Sequence, residues 1–476
     1  MSKKTTFVDY EPLRRGGHKE RDESLDNSTF SAPPSTKTEA KEIEKTQTPP
    51  EAGTERWIVH SGHALSFLGL FLFSFLLFFR PYELESLSWL SSSALYTAIA
   101  TLLVFIPVQL GLENRVTIRT EEVNRVLLLL LLALLSIPFA LDRKLAWAAF
   151  VDFAKVVIMF IVMVNVVRTR TRLKALLLLV LIASIVLSIA AINDYRLGIL
   201  AANGKRILGV IGGLFENPND LALHLVTFFP IVIGLGLGSR NPFGKIFYFG
   251  SSLILLAGIV VTFSRGGFLG LIVVVGALVW LLGKTHRTTV VIAAVLLMTL
   301  FLVLAPGAYR ERLSTTKDDS AQARTAELKR SVYLSVRHPL FGVGMSNYVL
   351  YSDNEHATHN AYTQVAAEMG LAAAVVYVLF LIAALKRARR VAEAAKKNSH
   401  RWLFYLSIGL QASLIGYMVT SFFASVAYLW YVYYLAAYIL CADRLLQAAS
   451  ATGSDTEVSQ LHPSVYLQQN VAPKLG

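Results

Sequence analysis

Apolar runs of membrane-crossing length recur from about residue 62 to residue 445, and they leave few folds open to this chain. A run of roughly 18 or more apolar residues matches a hydrocarbon layer of about 30 Å. Inside lipid each backbone polar group must be satisfied within its own segment, which leaves helices or a closed barrel. A barrel strand alternates apolar with polar residues, whereas Val126 to Leu135 is apolar throughout. With 54% hydrophobic residues over 476 positions, the chain reads as an all-α, polytopic membrane protein. Hydropathy places twelve spans near 62–80, 88–110, 124–141, 145–167, 173–192, 219–238, 245–263, 265–283, 288–305, 361–386, 402–425 and 427–445. Residues 1–55 are rich in Ser, Thr, Glu, Lys and Pro and have no apolar stretch like that of a signal peptide; they read as a disordered tail. Residues 446–476 read as a second tail.

The formal charge of +13 follows topology and gives no sign of a nucleic-acid partner. With the N-terminus in the cytoplasm, the inner connections carry Arg115, Arg119, Arg125, the Arg168–Lys174 group, Arg240, Lys245, Lys284, Arg287 and the run from Lys386 to Arg401. The short outer connections carry fewer cations, which is the expected bias. An even span count returns the C-terminus to the cytoplasm. The single Cys441 lies in the last apolar span, so an internal disulfide is excluded.

Two outer connections are too long to be simple turns, 193–218 and 306–360. The second holds an amphipathic pattern near Ala321–Arg337 and then the punctuated His338-Pro339-Leu340-Phe341-Gly342-Val343-Gly344. It ends on His356-Ala-Thr-His359-Asn360, where the chain re-enters an apolar helix that carries Glu368-Met369-Gly370. On this topology Arg206, Arg265, Arg324, Arg330, His338, His356 and His359 all face one side of the membrane. Guanidinium groups stay charged and offer a planar fork suited to phosphate oxygens. Several arginines beside a histidine therefore suit a lipid-linked phosphate or diphosphate, with imidazole as general base. Plainer roles exist for most of these groups. Arg265 in Ser264-Arg-Gly-Gly267 also suits snorkelling to headgroups, His359 suits helix capping, and Asn217 and Asn219 suit the cap of the helix after Pro218. Asp152 and Lys155, at i,i+3 spacing, read as a buried intramembrane pair, and His224 as a packing histidine.

Four stretches together resemble the O-antigen ligase superfamily. They are Arg206 through Phe215-Glu-Asn217-Pro-Asn219-Asp220; Thr262-Phe-Ser-Arg265-Gly-Gly; Arg324 leading to His338–Gly344; and His359-Asn-Ala-Tyr362 with Glu368-Met-Gly370. The resemblance covers roughly 200–385, with hydropathy alone linking the rest of 56–445. That superfamily comprises bacterial O-antigen ligases, O-antigen polymerases and some protein O-oligosaccharyltransferases. The resemblance implies a glycosyltransferase at the outer face of the bacterial inner membrane. It would pass a glycan from undecaprenyl diphosphate to a hydroxyl on a lipid, glycan or protein acceptor. It implies His359 and Arg265 as catalytic groups, with Arg206, Arg324, Asn217, Asn219, His356 and Glu368 holding substrate, and neither cofactor nor metal.

Two classes compete. A ligase and a polymerase share this donor and differ only in acceptor. A polysaccharide-lipid transporter or flippase would also have about twelve spans, but it predicts broken helices and pseudo-symmetric halves with midplane charges. This sequence gathers its polar groups at one face, and its halves are dissimilar.

Overall fold

The structure is a computed structural model. It describes residues 63–81, 92–199, 207, 217–283, 288, 291–292, 319–352 and 357–461, all within the unit 55–476. Every described helix or turn fits the all-α expectation. The helices are α1 Ala64–Phe79, α2 Ser93–Glu113, α3 Glu121–Ser136, α4 Arg143–Val166, α5 Arg170–Leu197, α6 Pro218–Gly238 and α7 Pro242–Val261. They continue with α8 Arg265–Leu281, α9 Asp319–Arg337, α10 Ala361–Met369, α11 Leu371–Lys397, α12 Arg401–Thr420 and α13 Trp430–Leu461. Eight of the described helical segments are long and apolar enough to cross a membrane; α1 and α8 are apolar but shorter. Most of the expected 288–305 span lies outside the described residues. The last helix runs past residue 445 as far as Leu461.

One expected span is not continuous. The 361–386 segment breaks at Gly370, whose φ of 91° and ψ of 168° interrupt the helix between α10 and α11. Only α11 is long enough to cross. Such a conformation is almost confined to glycine. A Cβ at Gly370 would also collide with the Leu340 carbonyl.

α6 is the central helix. It is buried along nearly its whole length and packs on α7, α8 and α12. Gly234 lies against the Tyr405 backbone and Gly409 against the Pro230 carbonyl, so small residues let the two helix backbones close up. Outward faces are apolar, as on α5, where Ile182, Val186 and Ile189 are exposed. That is the inside-out pattern expected when lipid is the solvent.

The cation-rich connections gather at one end of the bundle. Arg168 pairs with Glu113 at 2.7 Å, Asn165 Oδ1 accepts from the Ile118 N–H, Arg170 stacks over Trp402 and Arg401 donates to the Leu237 carbonyl. Asp152 and Lys155 do form an ion pair at 2.8 Å, but not a buried one, since the Asp152 side chain is 75% exposed. Ala146, Phe153, Val157 and Phe160 take the inward stripe of α4 and leave position 152 on the outward face.

Candidate functional site

At the opposite end, the polar residues singled out in the sequence act first as helix caps. The Asn217 side chain accepts from the Asn219 N–H and starts α6. Ser264 Oγ accepts from the Gly267 N–H and starts α8. Asn360 Oδ1 accepts from the Tyr362 and Thr363 N–H groups and starts α10. A short polar side chain at such a position satisfies backbone donors that the first turn leaves open. The bland reading of Asn217 is therefore correct as far as it goes.

The caps are also joined to one another. Ser264 Oγ donates to Asn219 Oδ1 at 2.9 Å, which ties the start of α8 to the start of α6. Close approach of the two helices requires Gly267, where a Cβ would stand 2.6 Å from the Ala222 Cβ. The 3-10 turn Ser421–Phe423 closes the third side. Asn219, Ser264, Gly266, Gly267, Arg324 and Phe423 line one small cleft there. Ala424 lines it too, and the next residue, Ser425, accepts the His359 N–H at 2.8 Å and pairs with Thr358 Oγ1. Two helix N-termini thus flank a crevice of about 10 Å³ that carries a guanidinium; its electrostatics, not its volume, suit an anion.

Arg265 occupies the first position of α8, one residue from cleft-lining Gly266, and is half-buried. His359 takes a left-handed backbone, φ 51°, between the bond of its N–H to Ser425 Oγ and the bond of the Thr358 hydroxyl to the Asn360 carbonyl. Phe263, just before Ser264, does the same with φ 49°. Non-glycine residues in this region carry a modest strain that cluster near functional sites often retain. The structure brings Asn219 and Arg324 into the cleft, with Arg265 and His359 beside it. Asn217 is exposed at the cap, while Arg206 and His356 lie outside the described residues.

Arg324 comes from the long connection, and a chain of buried contacts sets its place. Glu327, one turn further along α9, accepts the Tyr348 hydroxyl on Oε2 at 2.7 Å and the Ser352 hydroxyl on Oε1 at 3.0 Å. Leu334, Val343, Tyr348 and Ala367 form a small apolar cluster beneath. The Val343 N–H donates to the Ala367 carbonyl, Gly344 to Glu368 and Leu371 to Pro339. The His338–Gly344 and Glu368–Gly370 motifs are thus two halves of one backbone clamp. Asn347 and Phe341 dock it on the α3–α4 turn: Asn347 exchanges hydrogen bonds with the Asp142 backbone, and Phe341 stacks on Phe139 at 4.6 Å.

Glu368 is buried in this clamp, with 3% exposure. Burial pushes its carboxyl up to about 7, against the pull of the Ser346 and Tyr348 backbone N–H groups and the Tyr428 hydroxyl. Its Oε2 and the Tyr428 oxygen both lack a hydrogen bond of good geometry.

Sequence reasoning missed several neighbours. Asp220 lies within electrostatic reach of Arg324, and Tyr431 within reach of both Asp220 and Arg80. Asp220 was visible in the Asn-Pro-Asn-Asp string. Arg80 follows the first span without any motif, and Tyr431 sits among five tyrosines of similar spacing, so neither gave a signal. His224 is a packing histidine, as expected. Its Nε2 pairs with Ser184 Oγ at 2.9 Å, inside a nest of Phe78, Phe228 and Trp430.

Residues 250–378 match the model of a family described as O-antigen ligase. No curated protein matches the chain.

Proposed function

We propose that this chain, whose residues 250–378 match the O-antigen ligase family, moves a glycan from undecaprenyl diphosphate to an acceptor hydroxyl at the extracytoplasmic face of the bacterial inner membrane. The observation that carries this reading is the Asn219–Ser264 hydrogen bond. It ties two helix starts together at one cleft, which Arg324 also lines, with Arg265 and His359 alongside. A diphosphate leaving group gathers negative charge as its bond to the sugar breaks. Preformed N–H dipoles and guanidinium groups stabilise that charge without reorganising. Arg324 and Arg265 take that role here, with Arg206 a further candidate from the preceding connection. Asn217 and Asn219 act mainly by keeping the cleft in shape.

In this reading His359 is the general base. Its imidazole takes the acceptor proton while the acceptor oxygen attacks the anomeric carbon. The carbon–oxygen bond to the diphosphate breaks, and undecaprenyl diphosphate leaves. One displacement without a covalent intermediate inverts the anomeric centre. His356 is a further substrate-binding candidate. Glu368 is a positioning residue, because it acts through the clamp that carries Arg324. The polyprenyl donor is already activated, so the reaction needs no nucleotide.

The test is direct. Purified protein is incubated with undecaprenyl-diphosphate oligosaccharide and a panel of acceptors, and carrier release is measured. Release that continues at the wild-type rate in His359→Ala or Arg265→Ala would reject the assigned roles. The donor serves ligases and polymerases alike, so glycan profiles of a deletion strain identify the acceptor. Polymer accumulating on the carrier marks a ligase, and single repeats reaching the final product mark a polymerase.

A further inference from the structure

The end of the bundle away from the cleft holds a second feature that glycan transfer does not use. α6 runs 21 residues from the cleft, about 31 Å at 1.5 Å per residue. At its far end lies a hollow of about 530 Å³ lined by Arg170, Lys174, Arg240 and Arg401. These side chains come from three separate connections, and no Asp or Glu lines the hollow. The starts of α5, α7 and α12 also open onto it through Arg170, Asn241 and Arg401. Their dipoles add positive potential, offset in part by the C-terminus of α6, which lines the hollow at Gly238 and Ser239.

Topological bias alone asks only for cations in the inner connections, free to splay into water. Here two of the four are fixed in place. The Arg170 guanidinium sits 4.6 Å from the Trp402 ring centroid. Arg401 donates to the Leu237 carbonyl at 2.9 Å and lies over the Tyr405 ring. Lys174 and Arg240 are exposed and have no ion pair among the described residues. Four like charges around one concavity repel each other, and an anion entering it relieves that repulsion. The rest of the wall is mixed, with polar Ser239, Asn241, Ser399 and His400 beside Leu235, Trp402, Leu403 and Leu445. The leucines suit a ligand that carries a hydrocarbon portion beside its charge, and the hydroxyl, amide and imidazole groups suit further phosphate oxygens.

We propose that this hollow binds a phosphate-bearing anion, at the membrane face opposite the glycan-transfer cleft. The shared chemistry is a phosphate mono- or diester held by two immobilised guanidinium groups and two mobile cations. Two sources can supply it: the headgroup of an anionic phospholipid, or a soluble phosphate. Basic hollows between membrane helices on the cytoplasmic side are suited to the first.

Two arms separate the sources. In the first, full-length protein is released from nanodiscs of mixed phosphatidylglycerol and phosphatidylcholine, and retained lipid is counted by native mass spectrometry. In the second, delipidated protein in neutral detergent is titrated with inorganic phosphate and then pyrophosphate, with the unfolding temperature as readout. The variants are Lys174→Gln/Arg240→Gln and the charge-keeping Lys174→Arg/Arg240→Lys. Preferential retention of phosphatidylglycerol that falls about fivefold for each charge removed, and returns in the charge-keeping variant, supports the lipid source. Stabilisation by phosphate with the same variant pattern and no lipid preference supports the soluble source. Absence of both effects, or equal effects in wild type and the Gln variant, overturns the proposal. Carrier release in the Gln variant provides the folding control.

Discussion

His359 and Arg265 stand beside residues already committed to the backbone, Asn360 and Ser264. The caps hold the frame on which these two proposed catalytic groups are mounted. Replacing His359 with Ala is expected to slow carrier release by roughly 10²–10⁴-fold, the usual contribution of a general base. Arg265→Lys keeps the charge but loses the two-pronged donor geometry, so it is expected to remain well below wild type in the same assay. Glu368 gives a pH signature of a different kind. Its folded carboxyl titrates at about 7 instead of 4.5. The folded protein therefore holds that proton more tightly than the unfolded chain does, and stability from this group falls as pH rises through that window. Glu368→Gln cannot ionise. Its stability relative to wild type should improve by up to about 3 kcal/mol between pH below 4.5 and pH above 7. A thermal-unfolding series in detergent that shows a constant gap would rule out a raised carboxyl.

At the scale of elements, the clamp between α9 and α10 decides where Arg324 stands. Tyr348→Phe removes the hydroxyl that serves a buried Glu327 carboxylate, at a cost of about 1–3 kcal/mol. It should lower carrier release without touching any cleft residue. Helix ends on the far side are pinned by charge. Arg387 binds both oxygens of Glu122, at 2.7 and 2.8 Å, and Asp443 at 2.6 Å. Glu122 is 1% exposed, so Arg387→Ala strands a buried carboxylate and should cost about 3–5 kcal/mol, read as a lower unfolding midpoint. Hydropathy revealed most of these elements, because spans are written as apolar runs. It did not reveal the break at Gly370, since glycine within an apolar run looks like any small residue until a neighbouring backbone is known. The clamp was hidden for the same reason. His338–Gly344 and Glu368–Gly370 lie 24 or more residues apart, and their backbone pairing leaves no trace in side-chain pattern. Asp152 misled because spacing shows that two charges meet, not which way they face.

Across the whole molecule, the chain presents two chemically distinct ends joined by α6, α7 and α12. The cleft of helix starts is at one end, and the cation-lined hollow is at the other. Cys441 is buried, so single cysteines can report sidedness. Asn217→Cys and Ser399→Cys are both at exposed positions and should react with an impermeant thiol reagent from opposite faces of the membrane. Labelling of both from the same side in intact cells would refute the two-ended arrangement. The sequence showed the sidedness of charge but not the concavity, because a hollow depends on how separate connections pack.

The interruption between α10 and α11 also has a mechanical meaning. In a continuous helix, inserting one residue rotates everything beyond it by about 100°. At Gly370 the axis is reset, and α10 is oriented by its own bonds to Val343 and Gly344, while α11 begins with the Leu371 N–H bonded to the Pro339 carbonyl. Register changes in the lipid-embedded part of α11 therefore need not turn His359 away from its station. The end that carries His359 and the hydrophobic shaft beyond the first turn of α11 can then vary independently.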